Sequence, residues 1–379
     1  MDPVNWAGWL VGLLLFALGL QRLRDLAAVP PLPDRTDPRS PRVSMIVTAR
    51  DELARIETSV RRAIAQREVE LELIVVDDRS ADGTREVLER LAREYARLRV
   101  LRVDELPDGW LGKPHACHVG AEQARGEWLL FSDADAWMTD RVVARAVDVA
   151  RREGADHLCL FPGESHASIA ARATLLNFSA VLLHYAARAN RDERRSMIGV
   201  GAFNLVRAEA YREIGGHRRL RFEVVDDLKL GLLLRRAGFR SRAFGAADDV
   251  EVHWAPTVPR VVHALEKNMF AMLEFSTPRG LLAIAGLATL VAAALVTPFL
   301  GGSGALVASL GWAVSLVPAL VMARHTRWGV LPVLLTPFVS PVMVWVVANS
   351  VYRTLRRGGI CWRGTFYAID ALRDGQVRP

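Results

Sequence analysis

The chain is poor in several residue types and patterns, and each scarcity narrows what it can be. Its three cysteines, Cys117, Cys159 and Cys361, are odd in number and far apart, which excludes a disulfide framework and zinc-ligand spacing and suits reduced thiols. No Gly-x-Gly-x-x-Gly follows any strand-like run, which argues against a dinucleotide-binding oxidoreductase. The charge excess is only +7, from 49 basic and 42 acidic residues, and no basic patch interleaved with aromatics occurs. Nucleic acid is therefore not an expected partner, and the excess suits a cytoplasmic membrane surface instead. Lysine is the scarcest charge: Lys113, Lys229 and Lys267 are the only three.

Apolar sequence is plentiful, at 51% of 379 residues. Residues 4–20 are long enough, at the short end, for a membrane-spanning helix. Asp2 precedes them where a signal peptide would be basic, and Arg22 and Arg24 follow, so the positive-inside rule puts the following chain in the cytoplasm. Residues 29–41 carry five prolines and read as a stiff linker. Residues 281–300 and 305–323 are each about a bilayer thick and form a hairpin through Gly301-Gly302-Ser303-Gly304, returning to Arg324, His325 and Arg327. Residues 330–351 are apolar but interrupted by Pro332, Pro337 and Pro341, with basic flanks on both sides. A re-entrant or interfacial segment satisfies those flanks; a further full span is the alternative. The expected division is an amino-terminal transmembrane helix at 1–24, a linker at 25–42 and a cytoplasmic catalytic domain at 43–278. A membrane region at 279–352 and a basic cytoplasmic tail at 353–379 complete it.

Within the expected domain, strand-like runs at 43–48, 71–76, 99–103 and 128–131 alternate with helical patterns at 53–66, 84–97 and 114–125, the signature of a parallel sheet. The run at 128–131 ends in Asp133 and Asp135. Ligands of open α/β sheets bind at that carboxyl edge, and side chains two apart on extended chain point the same way, so both acids can address one hard cation, Mg2+ or Mn2+. An isolated Asp-x-Asp is common in solvated turns. Here two more acid pairs accompany it: Asp77-Asp78 ends the second strand, and Asp226-Asp227 opens an amphipathic helix.

With these residues in order, residues 43–275, about sixty per cent of the chain, resemble the family 2 glycosyltransferases of GT-A fold. The resemblance implies an α/β domain with a Rossmann-like, mostly parallel sheet that binds nucleotide-diphospho-sugars, flanked by amino- and carboxyl-terminal transmembrane helices. Thr48-Ala49-Arg50-Asp51-Glu52 is similar to the family's opening motif, usually with Asn where Asp51 stands, which lines the nucleotide pocket. Asp77 and Asp78 match the acids that hydrogen-bond uracil and ribose, and Gly109-Trp110-Leu111-Gly112-Lys113-Pro114 resembles a stretch whose lysine lies near the donor. Asp133 and Asp135 match the metal motif, with Asp133 also facing the nucleotide sugar. Asp226-Asp227 matches the family's Glu-Asp, which makes Asp227 the base that takes the acceptor's proton. The Gln/Arg-x-x-Arg-Trp of processive synthases is absent, leaving Arg260 or Lys267 as substitutes near the diphosphate and weakening a polymerase reading. His253 either completes the metal site or is structural.

The chain looks most like hopanoid-associated and carotenoid-type lipid glycosyltransferases. That resemblance implies inverting transfer of one sugar, typically UDP-linked in such enzymes, to a membrane lipid. The expected setting is a multi-pass inner-membrane protein with its catalytic domain in the cytoplasm. Transfer to polyprenyl phosphate, or a non-catalytic membrane subunit that keeps the fold, are the alternatives.

Overall fold

The structure is a computed structural model that describes residues 2–35, 40–164, 166–193 and 196–378; part of the expected linker, 36–39, lies outside the described residues. The chain forms two compact units. One comprises Met1–Ala28, His166–Ala187 and Ala255–Asp370, the other Val29–Ser165, Arg188–Trp254 and Ala371–Pro379.

The second unit is built on a sheet. Its strands are β1 (Arg42–Ala49), β2 (Glu70–Asp78), β3 (Leu98–Val103), β4 (Trp128–Asp133), β6 (His157–Phe161), β7 (Asn204–Arg207) and β8 (Ser241–Gly245), in spatial order β3-β2-β1-β4-β7-β6-β8. A separate antiparallel pair joins β5 (Ala136–Met138) to β9 (Val250–Val252). β1 is parallel to both β2 and β4, whereas β7 runs antiparallel to β4 and β6. The unbroken apolar runs of β1, β2 and β4 follow from burial on both faces. Met45, Val47, Leu73, Val75 and Leu130 enter one apolar cluster, while their neighbours Ile46, Ile74, Val76, Leu129 and Phe131 enter another on the opposite face. Helices Ile56–Ile64 and Thr84–Glu94 cover the first face with Ile56, Val60, Leu88 and Leu91. Helix Gly112–Glu122 covers the second with Ala116 and Cys117, and Gly120 lets it approach, since a Cβ there would lie 2.5 Å from a methyl of Ile46.

The parallel registers pair Ala49 with Asp77 and Thr48 with Asp133, so the carboxyl ends of three neighbouring strands finish level. The acid pair of β4 is held differently from the expectation. β4 stops at Asp133, and Ala134 and Asp135 form a turn into β5, so a turn rather than extended alternation places Asp135.

The other unit is helical. Five helices among the described residues are long and apolar enough to cross a membrane: Asn5–Ala27, Ile169–Asn190, Thr277–Phe299, Gly302–His325 and Leu331–Arg357. The first packs on the fourth through small residues; a Cβ on Gly12 would lie 2.4 Å from the carbonyl oxygen of Val307. The prolines at 337 and 341 do not divide the last helix, which runs unbroken to Gly358, whose φ of 68° ends it. Residues 353–379, read above as a basic tail, carry structure: the helix end, a hairpin of Gly359–Trp362 with Thr365–Ala368, and helix Ile369–Gly375.

Candidate active site

The expected residues fall into two acid clusters on the α/β unit. At the first, Asp51 adopts a φ of 54° and its carboxylate accepts the N–H of Ala81 at 2.8 Å, while its own N–H donates to Ser80 Oγ at 3.0 Å. Two strand ends are thereby tied together. Asp82 caps helix Thr84–Glu94 through the N–H and hydroxyl of Thr84, and accepts Leu53 N–H at 3.0 Å with its other oxygen. Asp77 accepts the Ser80 N–H at 3.3 Å. Asp78, buried, takes a two-point fork from Arg79 at 2.7 and 3.0 Å, with Arg50 at 3.9 Å beyond. Gly112 is required there, because a Cβ would meet the Asp78 carboxylate at 2.5 Å. Glu52 is buried and pairs with Arg55 at 3.3 Å.

Among the described residues, the second cluster is short of positive charge. Lys113, in the first turn of helix Gly112–Glu122, places Nζ 2.6 Å from Asp133. Burial alone would lower its ammonium, but the carboxylates of Asp133, Asp226 and Asp227 outweigh that and hold it well above the ordinary lysine value. One cation thus serves three separate acids. Burial, then the charges of Asp133 and Glu52, push the Asp135 carboxyl up to about 7, with Arg55 and Lys113 opposing. Burial and the neighbouring Asp226 likewise push Asp227 up to about 6, even though it accepts the Leu228 N–H at 2.8 Å and sits in the first turn of helix Asp226–Arg236. Gly201 approaches from the β7 side: Asp133 N–H donates to its carbonyl at 2.9 Å, and a Cβ would lie 2.4 Å from an Asp133 oxygen and 3.1 Å from Lys113 Nζ. Gly199 is tighter still, with the Asp227 carbonyl oxygen 1.9 Å from where its Cβ would be.

This donor set fits a hard divalent cation. Asp133 and Asp135 stand with one residue between them, Gly201 packs against the Asp133 carboxylate with no side chain between, and burial with the charges of Asp133 and Glu52 raises Asp135 to about 7. Asp133 and Asp135 are the residues that would hold it. His253 donates its backbone N–H to the Asp135 carbonyl at 3.2 Å and packs its ring 3.9 Å from Trp137, which is a supporting position for the turn. Lys267 belongs to the helical unit, where its ammonium lies 4.1 Å from the ring centre of Trp362.

Several participants had no signal in the sequence. Gly199 and Gly201 are among them, and only the closeness of Asp227 and Asp133 shows why no side chain is tolerated there. Tyr211 and His217 lie beneath Asp226, joined by fold rather than spacing.

The sheet order and the level strand ends, with the acid clusters at their carboxyl edge, define a GT-A fold. Residues 44–215 match the Glycosyl transferase family 2 profile. Among curated proteins it is similar to 4,4'-diaponeurosporenoate glycosyltransferase of Staphylococcus haemolyticus, 32% identical over 28% of this chain and 27% of that one. It is 27% identical to the protein of the same name from Staphylococcus aureus strain USA300, over 50% of each chain. The chain thus spans half or less of the length of these relatives. Among solved structures it resembles a mannosyltransferase from Pyrobaculum calidifontis in complex with GDP-Man and Mn2+, with a TM-score of 0.57, 19% identity, and coverage of 93% of this chain and 99% of that one.

Proposed function

We propose that the protein is an inverting glycosyltransferase that moves one sugar from a nucleotide-diphospho-sugar, UDP-linked by its Asp77-Asp78 pair, to a hydroxyl of a membrane lipid. The observation that carries this reading is the convergence of Lys113, Asp133 and Asp226-Asp227 on one strand edge. In it, Asp227 takes the proton of the acceptor hydroxyl as that oxygen attacks the anomeric carbon. The bond from that carbon to the diphosphate breaks on the opposite face, and the nucleoside diphosphate leaves with the bonding pair. Asp227 suits the task because a raised affinity makes it a stronger base than an ordinary carboxylate, while it remains deprotonated at neutral pH. Lys113 supplies fixed positive charge toward the diphosphate. A divalent cation held by Asp133 and Asp135 would neutralise charge growing on the leaving group. Arg50, Asp51, Glu52, Asp77 and Asp78 form the nucleotide side of the site.

The lipid acceptor is supported from two directions. The curated relatives are named for glycosylation of a carotenoid acid. The helical unit also encloses an apolar cavity of about 230 Å³, walled by Leu15, Leu176, Leu290, Met322 and Met343, with Arg22 its one charged lining residue among those described. That chemistry suits a hydrocarbon chain with a polar end. The arginines that follow the apolar segments support an inner-membrane protein with its catalytic unit in the cytoplasm.

The test is nucleoside diphosphate release by detergent-purified protein across UDP- and GDP-sugars, with Mg2+, Mn2+ or chelator and membrane lipid extract as acceptor. Metal-dependent release from one donor, lost in Asp135→Ala, is expected. Neither release nor binding of any donor would sink the reading.

A further inference from the structure

Asp226 stands next to the base and is almost wholly buried, at 4% exposure, so what faces it governs how the base is held. His217 faces it. The imidazole Nε2 lies 3.6 Å from Asp226 Oδ2, one small side-chain rotation from hydrogen-bond length, and His217 is itself 1% exposed. Beneath the imidazole, the Tyr211 oxygen lies 2.9 Å from Nδ1 and accepts the backbone N–H of His217 at 3.0 Å. The phenol has one proton to give. Donated to Nδ1, it leaves the proton of the neutral ring on Nε2, directed at Asp226. The Phe131 ring, 4.7 Å from the imidazole centre, helps close the group off. Gly216 admits the phenol, because a Cβ there would fall 2.6 Å from the Tyr211 ring.

We propose that Tyr211 and His217 are positioning residues: Tyr211 fixes the tautomer of His217, whose Nε2–H then anchors Asp226 and so sets the placement of Asp227. The inference rests on the transferase reading above and deepens it. Such a chain acts on the reaction without touching donor or acceptor. Its loss therefore lowers kcat and leaves donor binding alone. A competing use of the same atoms exists, because Cys117 Sγ, His217 and Asp226 all lie within 4.8 Å of one another, a grouping that could hold a metal ion. Burial and Asp226 push the Cys117 thiol up, which favours the neutral thiol over a ligand thiolate.

Three variants separate these uses. His217→Phe keeps the bulk and removes the donor; its kcat should fall about 10- to 100-fold with donor KM unchanged. His217→Gln can present an amide N–H near the Nε2 position and should restore most of that loss. Tyr211→Phe, which deletes only a hydroxyl, should lower kcat by roughly threefold to tenfold and carries the kinetic test if His217→Phe does not fold. Independently of turnover, 15N spectra of histidine-labelled protein should show His217 protonated at Nε2 and bare at Nδ1. Full kcat in His217→Phe, equal losses in the Phe and Gln variants, a proton on Nδ1, or one equivalent of zinc in the purified protein would each overturn the proposal. A wild-type protein that turns over no donor would instead sink the transferase reading, and the spectra and metal content would still decide the tautomer.

Discussion

The two acid clusters of the α/β unit stand on either side of β1, at the ends of β2 and β4, and meet their charge in opposite ways. At the end of β2, Asp78 is matched by a two-point arginine fork and a second arginine, and Asp77 by a backbone N–H. At the end of β4 and the start of helix Asp226–Arg236, one lysine serves Asp133, Asp226 and Asp227, and two carboxyls hold protons well above their ordinary range. A charge-matched cluster is a finished surface that a neutral base or sugar can use through directional hydrogen bonds. A charge-deficient one stores unfavourable repulsion that an arriving cation, diphosphate or proton relieves. On the proposed function, the difference separates recognition from chemistry within one sheet edge.

Breaking the deficient cluster at its base gives the largest effect. Asp227→Asn should lower kcat by about 10² to 10⁴ while donor KM stays within about twofold, read by initial rates of nucleoside diphosphate release. A variant that keeps its rate would favour an acceptor that arrives already ionised, such as a lipid phosphate. The pH profile sharpens the same point. If Asp227 is the base proposed above, it must be unprotonated to act, and with its carboxyl held at about 6, kcat should fall about tenfold per pH unit below 6 and level off above it. An acid limb at pH 4 would mean that the burial and Asp226 charge described here do not govern the working enzyme.

Gly201→Ala tests the deficient cluster from the backbone side. The added methyl would overlap an Asp133 oxygen at 2.4 Å and crowd Lys113, so the carboxylate must swing away. Apparent Mn2+ affinity in the release assay should weaken by roughly tenfold, with a smaller fall in rate at saturating metal.

Much of this arrangement was legible in the residues. The apolar runs of β1, β2 and β4 and the turn residues between them announce a parallel sheet, and two of the three acid pairs sit where such a run ends. The helical patterns at 84–97 and 114–125 correspond to Thr84–Glu94 and Gly112–Glu122. What the residues could not announce is what depends on contact across the fold. The antiparallel β7 is wedged between β4 and β6, brought there by no local pattern, and it carries the chain past Gly201 to Asp133. His217 meets Asp226 across a 3-10 turn, at a spacing that matches no periodic rule. The charge deficit itself is invisible in a sequence with a net positive charge, because it depends on how the fold distributes the charged side chains.

The smallest effect is the one that reads the contrast most directly, in stability. Asp135 holds its proton up to about 7 in the folded protein, against an ordinary carboxylate value near 3.8. Between those values the folded state binds a proton that the unfolded chain does not, so this group's contribution to stability is fully present below pH 4 and is lost as pH rises through 7. Asp135→Asn removes the loss. It should raise the melting temperature of the metal-free protein at pH 8 by roughly 2 to 5 °C, have little effect at pH 4, and abolish metal-dependent turnover. In the charge-matched cluster the sign reverses: Arg79→Ala strips the fork from a buried Asp78 and should destabilise by about 2 kcal/mol at pH 8, with donor KM rising about tenfold. Thermal melts of the two variants at pH 8, with chelator present, would move in opposite directions. A shift of the same sign in both would mean that the deficit at Asp135 is already met in the unliganded protein, and that the two clusters differ in ligand alone.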